Sequence, residues 1–458
     1  MTSPFKSLLI TGFLLIFIAQ AYSQTFTRQQ VTDDLTYLRS RMEIFHPKIQ
    51  LYNPDFNTKA DSVLKLVHDN MSRLESFKLV SQLVALGNEG HYNVGQWNDS
   101  VHVGFLDNAY RYMPLSVYVL DGHIYVKTDV SNENALQTGD EIHSINGLSV
   151  KAILDRFKHY LPVDGHIPTR LYQRLTAGFS WLYYLYIGQP EAFEIVYTPY
   201  RETQQKTVSI EALTQYQQSE NYKKNVGNVT SEPPPGPVID DYYTYEITDG
   251  TGWLNLKSFN WQLVEKFKVD AKKLYTSIFK ELNERAVKTL VIDLRDNNGG
   301  RNEFADEMLP FILKSNSKGI YKTSISWRGK QKPFKIPSMS KYAFQGKIYV
   351  LVNAGTFSSG ASLARYLREY ADAVLIGSET GSRYEGFVAG SSQGIDLPNL
   401  KVRIGIPRYL TDFPPSGKQK TSNRGLMPDH TITYSIDDRI EKVDKERAFL
   451  ERLLEKTE

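Results

Sequence analysis

Over Thr27 to Leu86 the apolar residues recur every three or four positions. Val31, Leu35, Leu38 and Met42 form one such stripe, and Val63, Leu66, Val67 and Met71 another. That period predicts amphipathic helices. His46-Pro47 closes the first, because a residue before proline is pushed out of the helical region. A further helix is expected from about Ser76 to Leu86, broken by Gly87-Asn88-Glu89-Gly90. His91 follows at a helix-to-loop transition.

From Met113 to Thr207 the pattern shortens to alternation, as in Val117 and Val119 or Ile124 and Val126, which predicts strands. Ile142 and Ile145 flank a short strand that ends in the turn Asn146-Gly147, and Ala152 to Leu161 reads as a helix. Gln215 to Asp241 is polar and carries Pro233-Pro234-Pro235-Gly236-Pro237, the composition of an exposed loop or linker.

Beyond Gly252 strands and helices alternate. Strands are expected at Trp253–Leu256, Thr289–Leu294, Lys347–Asn353 and Ala373–Ile376, with helices at Val264–Glu284 and Ser359–Tyr370. TLVIDL (289–294) and KIYVLVN (347–353) are continuous apolar runs, as expected of strands covered on both faces. The fold class is therefore α/β and multidomain, with a partly parallel sheet in the C-terminal half. The expected units are a helical segment at 24–112 carrying His91, a strand-rich module at 113–214, a Pro-rich linker or loop at 215–241, and an α/β core at 242–458.

Composition narrows the chemistry. The sequence has no cysteine, which excludes disulfides, thiolate metal sites and a Cys nucleophile. Its nine histidines include no HExxH, and no metal or organic cofactor is implied. The formal charge of +3 offers no clustered basic excess, so nucleic acid is not an expected partner. The N-terminus reads as a secretory signal peptide, residues 1–23: Lys6, an apolar stretch Leu8 to Ala19 too short for a bilayer span, then Ala21-Tyr22-Ser23. An exported protein, periplasmic or extracellular, with no stable membrane span after cleavage is the expectation.

Two strand ends carry candidate chemistry. IDLRDNNGG (292–300) runs a strand into a turn with two glycines, where backbone N–H groups can meet an anion. The alternative is a loop that simply needs positive φ. LVNAGTFSSGAS (351–362) runs a strand into a helix with Ser358 at the turn. Ser358 there is either a nucleophile beside the positive end of the helix, or else Ser358 or Ser359 is simply a helix cap. The two turns close two parallel strands, so both can face one crevice.

Taken together, these stretches resemble the tail-specific (C-terminal processing) serine proteases, nearer the tricorn-like and retinoid-binding-protein-like branch. VIDLRDNNGG (291–300) and LVNAGTFSSGAS resemble that family's Gly-Gly turn and nucleophile turn. VLIGSETGS (374–382), DLPNLKVRIGIPRY (396–409) and NRGLMPDHTI (423–432) resemble its later segments. LQTGDEIHSING (136–147) resembles its PDZ module, and ALGNEGHYNV (85–94) the histidine segment before that module.

The resemblance implies a PDZ-like module at 113–214 and a protease core at 242–458. It implies a nucleophile at Ser358, a general base at His91, and oxyanion donors at Ser359 and at Gly299 or Gly300. Polypeptides are the implied partners. A PDZ-like module implies docking of an extended chain by strand addition around Gly139–Gly147. His91 remains open between a base and a structural loop histidine.

The sequence departs from the family at three places. Arg383 stands where the Ser–Lys branch has its lysine, and a guanidinium cannot serve as the base; it is expected to steer substrate at most. Ser422 stands where the tricorn-like acid belongs, which leaves Glu379 as the candidate to orient His91. Ala361 replaces a family glutamate. These losses carry the alternative function, a degenerate pseudoprotease that binds peptides or chain termini without cutting them.

Overall fold

The computed structural model describes residues 25–97, 110–226, 236–419 and 422–455. The signal peptide expected at 1–23 and most of the Pro-rich run lie outside the described residues. Among the described residues, no helix is long and apolar enough to cross a membrane.

The C-terminal half is built on a parallel sheet. Its order is Tyr243–Thr248, Thr251–Leu256, Thr289–Asp293, Lys347–Val352, Val374–Gly377, His430–Thr431. Every neighbouring pair is parallel except the first, a hairpin. The two apolar runs of the sequence are its central strands, and they bury both faces as expected. Leu290 and Ile292 join one core, which includes the helices Ala271–Glu284 and Ser359–Ala371. Val291 faces the opposite way, toward Leu450 of the C-terminal helix Lys445–Glu455.

An antiparallel ribbon stands beside this sheet: Gln331–Lys335, Ile320–Ser326, Val402–Asp412, Gly386–Asp396. The strand Asn93–Trp97, which leads away from His91, pairs with Val402–Gly405 of the ribbon. The N-terminal half is thereby sewn to the core at the point that places His91.

The third sheet is antiparallel, in the order Lys206–Glu211, Ala192–Thr198, Glu141–Ile145, His123–Asp129, Leu115–Leu120. Asn146 (φ 48°) and Gly147 (φ 75°) form the expected tight turn, and Asp121-Gly122 (φ 47° and 85°) makes another of the same kind. The N-terminal helices and this sheet share one apolar core, running from Phe26 to Ala212 and taking in Ile395 to Ile406.

Several sequence expectations are corrected. Gln215–Val226 is a helix, not linker. It docks through side chains, with Gln218 donating to the Tyr112 and Leu213 carbonyls and Asn221 to the Val130 carbonyl. The expected helix Val264–Glu284 is two helices, Gln262–Glu265 and Ala271–Glu284. Lys268 sits at φ 55° between them, and Asp270 caps the second through the Lys273 N–H. The helix expected from Ser76 starts at Arg73, because Ser72 and Glu75 form a capping box. The periodic stretch Val63 to Met71 stops being helical at Leu64, and Met71–Ser72 pairs as a strand with Thr25–Phe26.

A long helix, Pro168–Tyr186, lies where only strands were expected. Its eight aromatic and β-branched residues favour strands, and Gly178, at non-helical φ/ψ, interrupts its period. Strand addition at Gly139–Gly147 is also ruled out. Glu141–Ile145 is an interior strand, paired on both sides, with no edge to offer.

Candidate active site

The strand Lys347–Val352 ends at Asn353, whose side chain ties two turns together. Asn353 Oδ1 accepts the Gly355 and Asp296 N–H groups, both at 2.9 Å. Thr356 Oγ1 donates to the Leu294 carbonyl at 2.7 Å, and the Phe357 N–H to the Asn297 carbonyl at 2.9 Å. The two strand-end turns picked out in the sequence are thus one hydrogen-bonded unit.

Ser358 sits in that unit at φ 55°, ψ −126°, just before the helix Ser359–Ala371. A non-glycine residue there costs about 1–3 kcal/mol, which the surroundings must impose. Three contacts hold it: its N–H donates to Ser382 Oγ at 2.8 Å, and its carbonyl accepts the Ser362 N–H at 2.9 Å and the Ser362 hydroxyl at 3.3 Å. Ser358 occupies the cap position, yet its side chain makes no capping hydrogen bond. The Ser359 hydroxyl is buried with no partner, so it does not cap either. Only the cap alternative required those hydroxyls to be engaged.

Gly299 packs directly on Ser358. A Cβ on Gly299 would lie 2.7 Å from Ser358 Cβ and 2.8 Å from the Ser359 nitrogen, and its φ is 82°. Its N–H is already spent on Asn297 Oδ1 at 2.8 Å. Gly299 therefore serves close approach, and of the two candidate glycine donors it is Gly300, at φ 135°, whose N–H has no partner among the described residues. The Ser359 N–H is likewise unpaired, as the first N–H of a helix is. A Gly299→Ala variant is expected to clash with Ser358 and strain the turn together. It should lose over tenfold in serine labelling while the remaining fold, read by circular dichroism, persists.

His91 reaches this site on a buried loop. Glu89 is fully buried, pairs with Arg383 at 2.7 Å and accepts the Val388 N–H at 3.0 Å. Arg383 also donates to the Asn88 carbonyl at 2.7 Å and stacks over Tyr52 at 3.8 Å. Asp164 accepts the Gly90 N–H at 2.6 Å and the Arg383 N–H at 3.3 Å. The imidazole lies against Phe357 at 4.4 Å and Phe387 at 5.5 Å, near parallel to both. Both ring nitrogens are shielded from solvent and neither has a hydrogen-bond partner. Burial lowers the His91 pKa below its ordinary value; Asp164 opposes this and Arg170 reinforces it. The ring is neutral near pH 7.

Thus the structure brings His91 onto Phe357, the residue preceding Ser358, without bonding the two side chains. It does not bring Glu379 there. Both Glu379 oxygens grip Arg424, at 2.7 and 2.6 Å, and one also accepts the Gly425 N–H. The acid whose field reaches His91 is Asp164, which the sequence reading missed; its only signal is an Asp-Gly pair in the loop before the unexpected helix. That helix supplies two more missed residues. Arg170 stacks on Phe357 at 4.3 Å and donates to Asn298 and the Ala354 carbonyl, and Gln173 donates to Asp296 at 3.0 Å. Arg383, expected at most to steer substrate, is only 2% exposed and belongs to the scaffold of the His91 loop.

Comparison with known proteins agrees with this geometry. The model of peptidase family S41 matches residues 250–432, the parallel-sheet core that carries both turns. A curated relative is the chloroplastic carboxyl-terminal-processing peptidase 1 of Arabidopsis thaliana, 25% identical over 207 residues. The match takes in 44% of this chain and spans 38% of the length of that relative. Among solved structures, mature CPAF superposes with a TM-score of 0.61 at 14% identity, covering 90% of this chain and 94% of that one. Mature CPAF complexed with lactacystin gives 0.63 at 13% identity, covering 93% and 97%. At such identities these two likenesses speak for the fold, and they extend it over the N-terminal half as well. Over its C-terminal core, residues 250–432, the chain is similar to peptidase family S41.

Proposed function

We propose that this protein is a serine endopeptidase acting through an acyl-enzyme on Ser358, with His91 as the base. The observation that carries the reading is Ser358 itself. A serine is held at positive φ, its hydroxyl uncapped, at the start of a helix whose first N–H is free. His91 would take the Ser358 proton as Oγ attacks the peptide carbonyl carbon. The Ser359 and Gly300 N–H groups would hold the oxyanion. The imidazolium would then protonate the leaving amine as the C–N bond breaks. Water, losing a proton to His91, would release the acyl group and restore Ser358. His91 would first turn toward Ser358, since its nitrogens are unbonded in the free protein; such hydrogen bonds often tighten only with substrate present.

The substrates proposed are polypeptides, as for the family and its carboxyl-terminal-processing relative. The strand-rich module is proposed as a PDZ-like unit. Its docking role moves to the groove of about 500 Å³ between Leu115 and Thr176, at the edge strand and the long helix. Export is proposed from the leader at 1–23, so the protein recovered outside the cytoplasm should begin near Gln24.

The test is covalent. A fluorophosphonate probe is expected to label the purified protein once, with the adduct mapped by mass spectrometry to Ser358. No labelling under any condition would leave the peptide-binding pseudoprotease in its place.

The acid limb of the pH profile is a second test. Catalysis needs neutral His91, and burial lowers its folded pKa. The neutral form therefore persists below the ordinary value of about 6.5, and kcat/KM should hold until the pH falls below that point. A midpoint above 7 would mean that another group, or a differently placed His91, governs the rate.

A further inference from the structure

A pocket of about 480 Å³ lies beside the His91 loop, on the far side of the long helix from the module's edge strand. Tyr92 and the following strand residues form one wall. The opposite wall is an aromatic stack: Tyr160 lies flat on Tyr186 at 4.8 Å and Phe77 stacks on Tyr186 at 6.3 Å. Trp181 completes the lining. The volume is that of an ordinary small-ligand site, and its walls mix aromatic rings with polar groups.

One charge faces this pocket. Arg174 is the sole ionisable cation or acid among the lining residues other than the tyrosines. It donates to the Pro162 carbonyl, and among the described residues no carboxylate pairs with it. Its charge is strongly desolvated, and burial lowers its pKa. A guanidinium removed from water without a counter-ion is costly. Arg383 is compensated by Glu89, and Arg295 by Asp293, Asp444 and Glu446, while the buried Arg365 donates to the Tyr384 and Pro414 carbonyls and stacks on the Tyr384 ring. Arg174 differs in facing an open pocket.

We infer that this pocket is a binding site for a carboxylate carried on an aromatic or aliphatic body, with Arg174 as its counter-ion. The fork of the guanidinium matches a carboxylate in two hydrogen bonds, and the stacked rings cover the apolar part. Arg174 lies one helical turn, about 6 Å, beyond Arg170, which touches the Ser358 turn. The chemistry has two sources: the free C-terminus of a peptide with an apolar last residue, or a free small carboxylic acid. The inference stands on the pocket alone and does not need the peptidase reading.

Trp181 in the wall gives a fluorescence readout. 3-Phenylpropionate is titrated against 3-phenylpropionamide, and acetyl-Ala-Ala-Phe with a free C-terminus against its amide, using the unmodified protein. The acids are expected to bind at least tenfold tighter than the amides. If the peptide acid alone binds, the source is a chain terminus; if the small acid binds as well, free carboxylates are ligands too. Arg174→Gln should erase the preference for acid, and Arg174→Lys should keep part of it. Equal binding of acid and amide, or no saturation by either pair in the millimolar range, would overturn the inference. So would a folded Arg174→Gln protein that keeps the preference. The acid–amide comparison needs no variant, so it decides the matter even if Arg174→Gln fails to fold. Cleavage assays are separate, and their failure would leave this binding result untouched.

Discussion

Ser358→Ala should abolish labelling by a serine-reactive probe and lower peptide hydrolysis by roughly four to six orders of magnitude, since nucleophile and base act as a unit. The neighbouring serines provide the control. Ser362 only buttresses the Ser358 carbonyl, at 3.3 Å, and the Ser359 hydroxyl touches nothing polar. Ser359→Ala keeps its backbone N–H, so both Ser359→Ala and Ser362→Ala should retain measurable labelling. His91→Ala should fall by orders of magnitude too, because no other base stands at the turn: Glu379 is locked to Arg424, and Asp164 is bonded to backbone N–H groups. Removing both Ser358 and His91 should cost little more than removing either. Residual turnover in Ser358→Ala close to wild type would sink the assignment. So would an adduct that maps to Ser359.

How far the sequence was legible follows a physical line. The parallel strands announced themselves because each is buried on both faces, and burial on both faces leaves unbroken apolar runs such as 289–294. The two turns were legible because they demand unusual backbone: Gly299 must admit Ser358, and the chain must pass from strand to helix within a few residues. Their union was not written in either segment. It depends on Asn353 and Thr356 reaching 57 and 62 residues back, to Asp296 and Leu294. The surroundings of His91 were less legible still. Asp164, Arg170 and Gln173 belong to a stretch whose aromatic content mimics strands, and they meet the site only through tertiary packing. Glu379 failed as the acid for a similar reason: nearness in sequence to the nucleophile said nothing of Arg424, 45 residues further on. Deleting 113–207, which a detachable docking module would tolerate, is expected to be destructive. It would remove Arg170 and Gln173 together with much of the shared N-terminal core.

Arg383→Ala is the second large effect, and here structure reverses the expectation from sequence. An arginine that steers substrate would be dispensable, but Arg383 is enclosed. Its guanidinium meets Glu89, the Asn88 and Gly386 carbonyls, and the face of Tyr52. Truncation would leave Glu89 fully buried with only the Val388 N–H, and burial, which already raises its pKa well above the ordinary value, would then force it to take up a proton. Breaking one side of such a pair costs about 3–5 kcal/mol, a large part of the roughly 5–15 kcal/mol that holds a domain together. The loss should appear in urea as a lower midpoint with little change in slope. Activity should fall as well, because Asn88, Glu89 and Gly90 set the path of the chain into His91. Two further variants separate charge from packing. Arg383→Lys keeps the charge but gives up the stacked, forked geometry, so it should recover only part of the stability. Glu89→Gln together with Arg383→Met removes both charges. It should be clearly more stable than Arg383→Ala alone, since no buried carboxyl is then left without its partner, yet it should remain poorly active with the His91 loop no longer pinned. If Arg383→Ala kept both its urea midpoint and its hydrolysis rate, the buried pair would not be what positions His91.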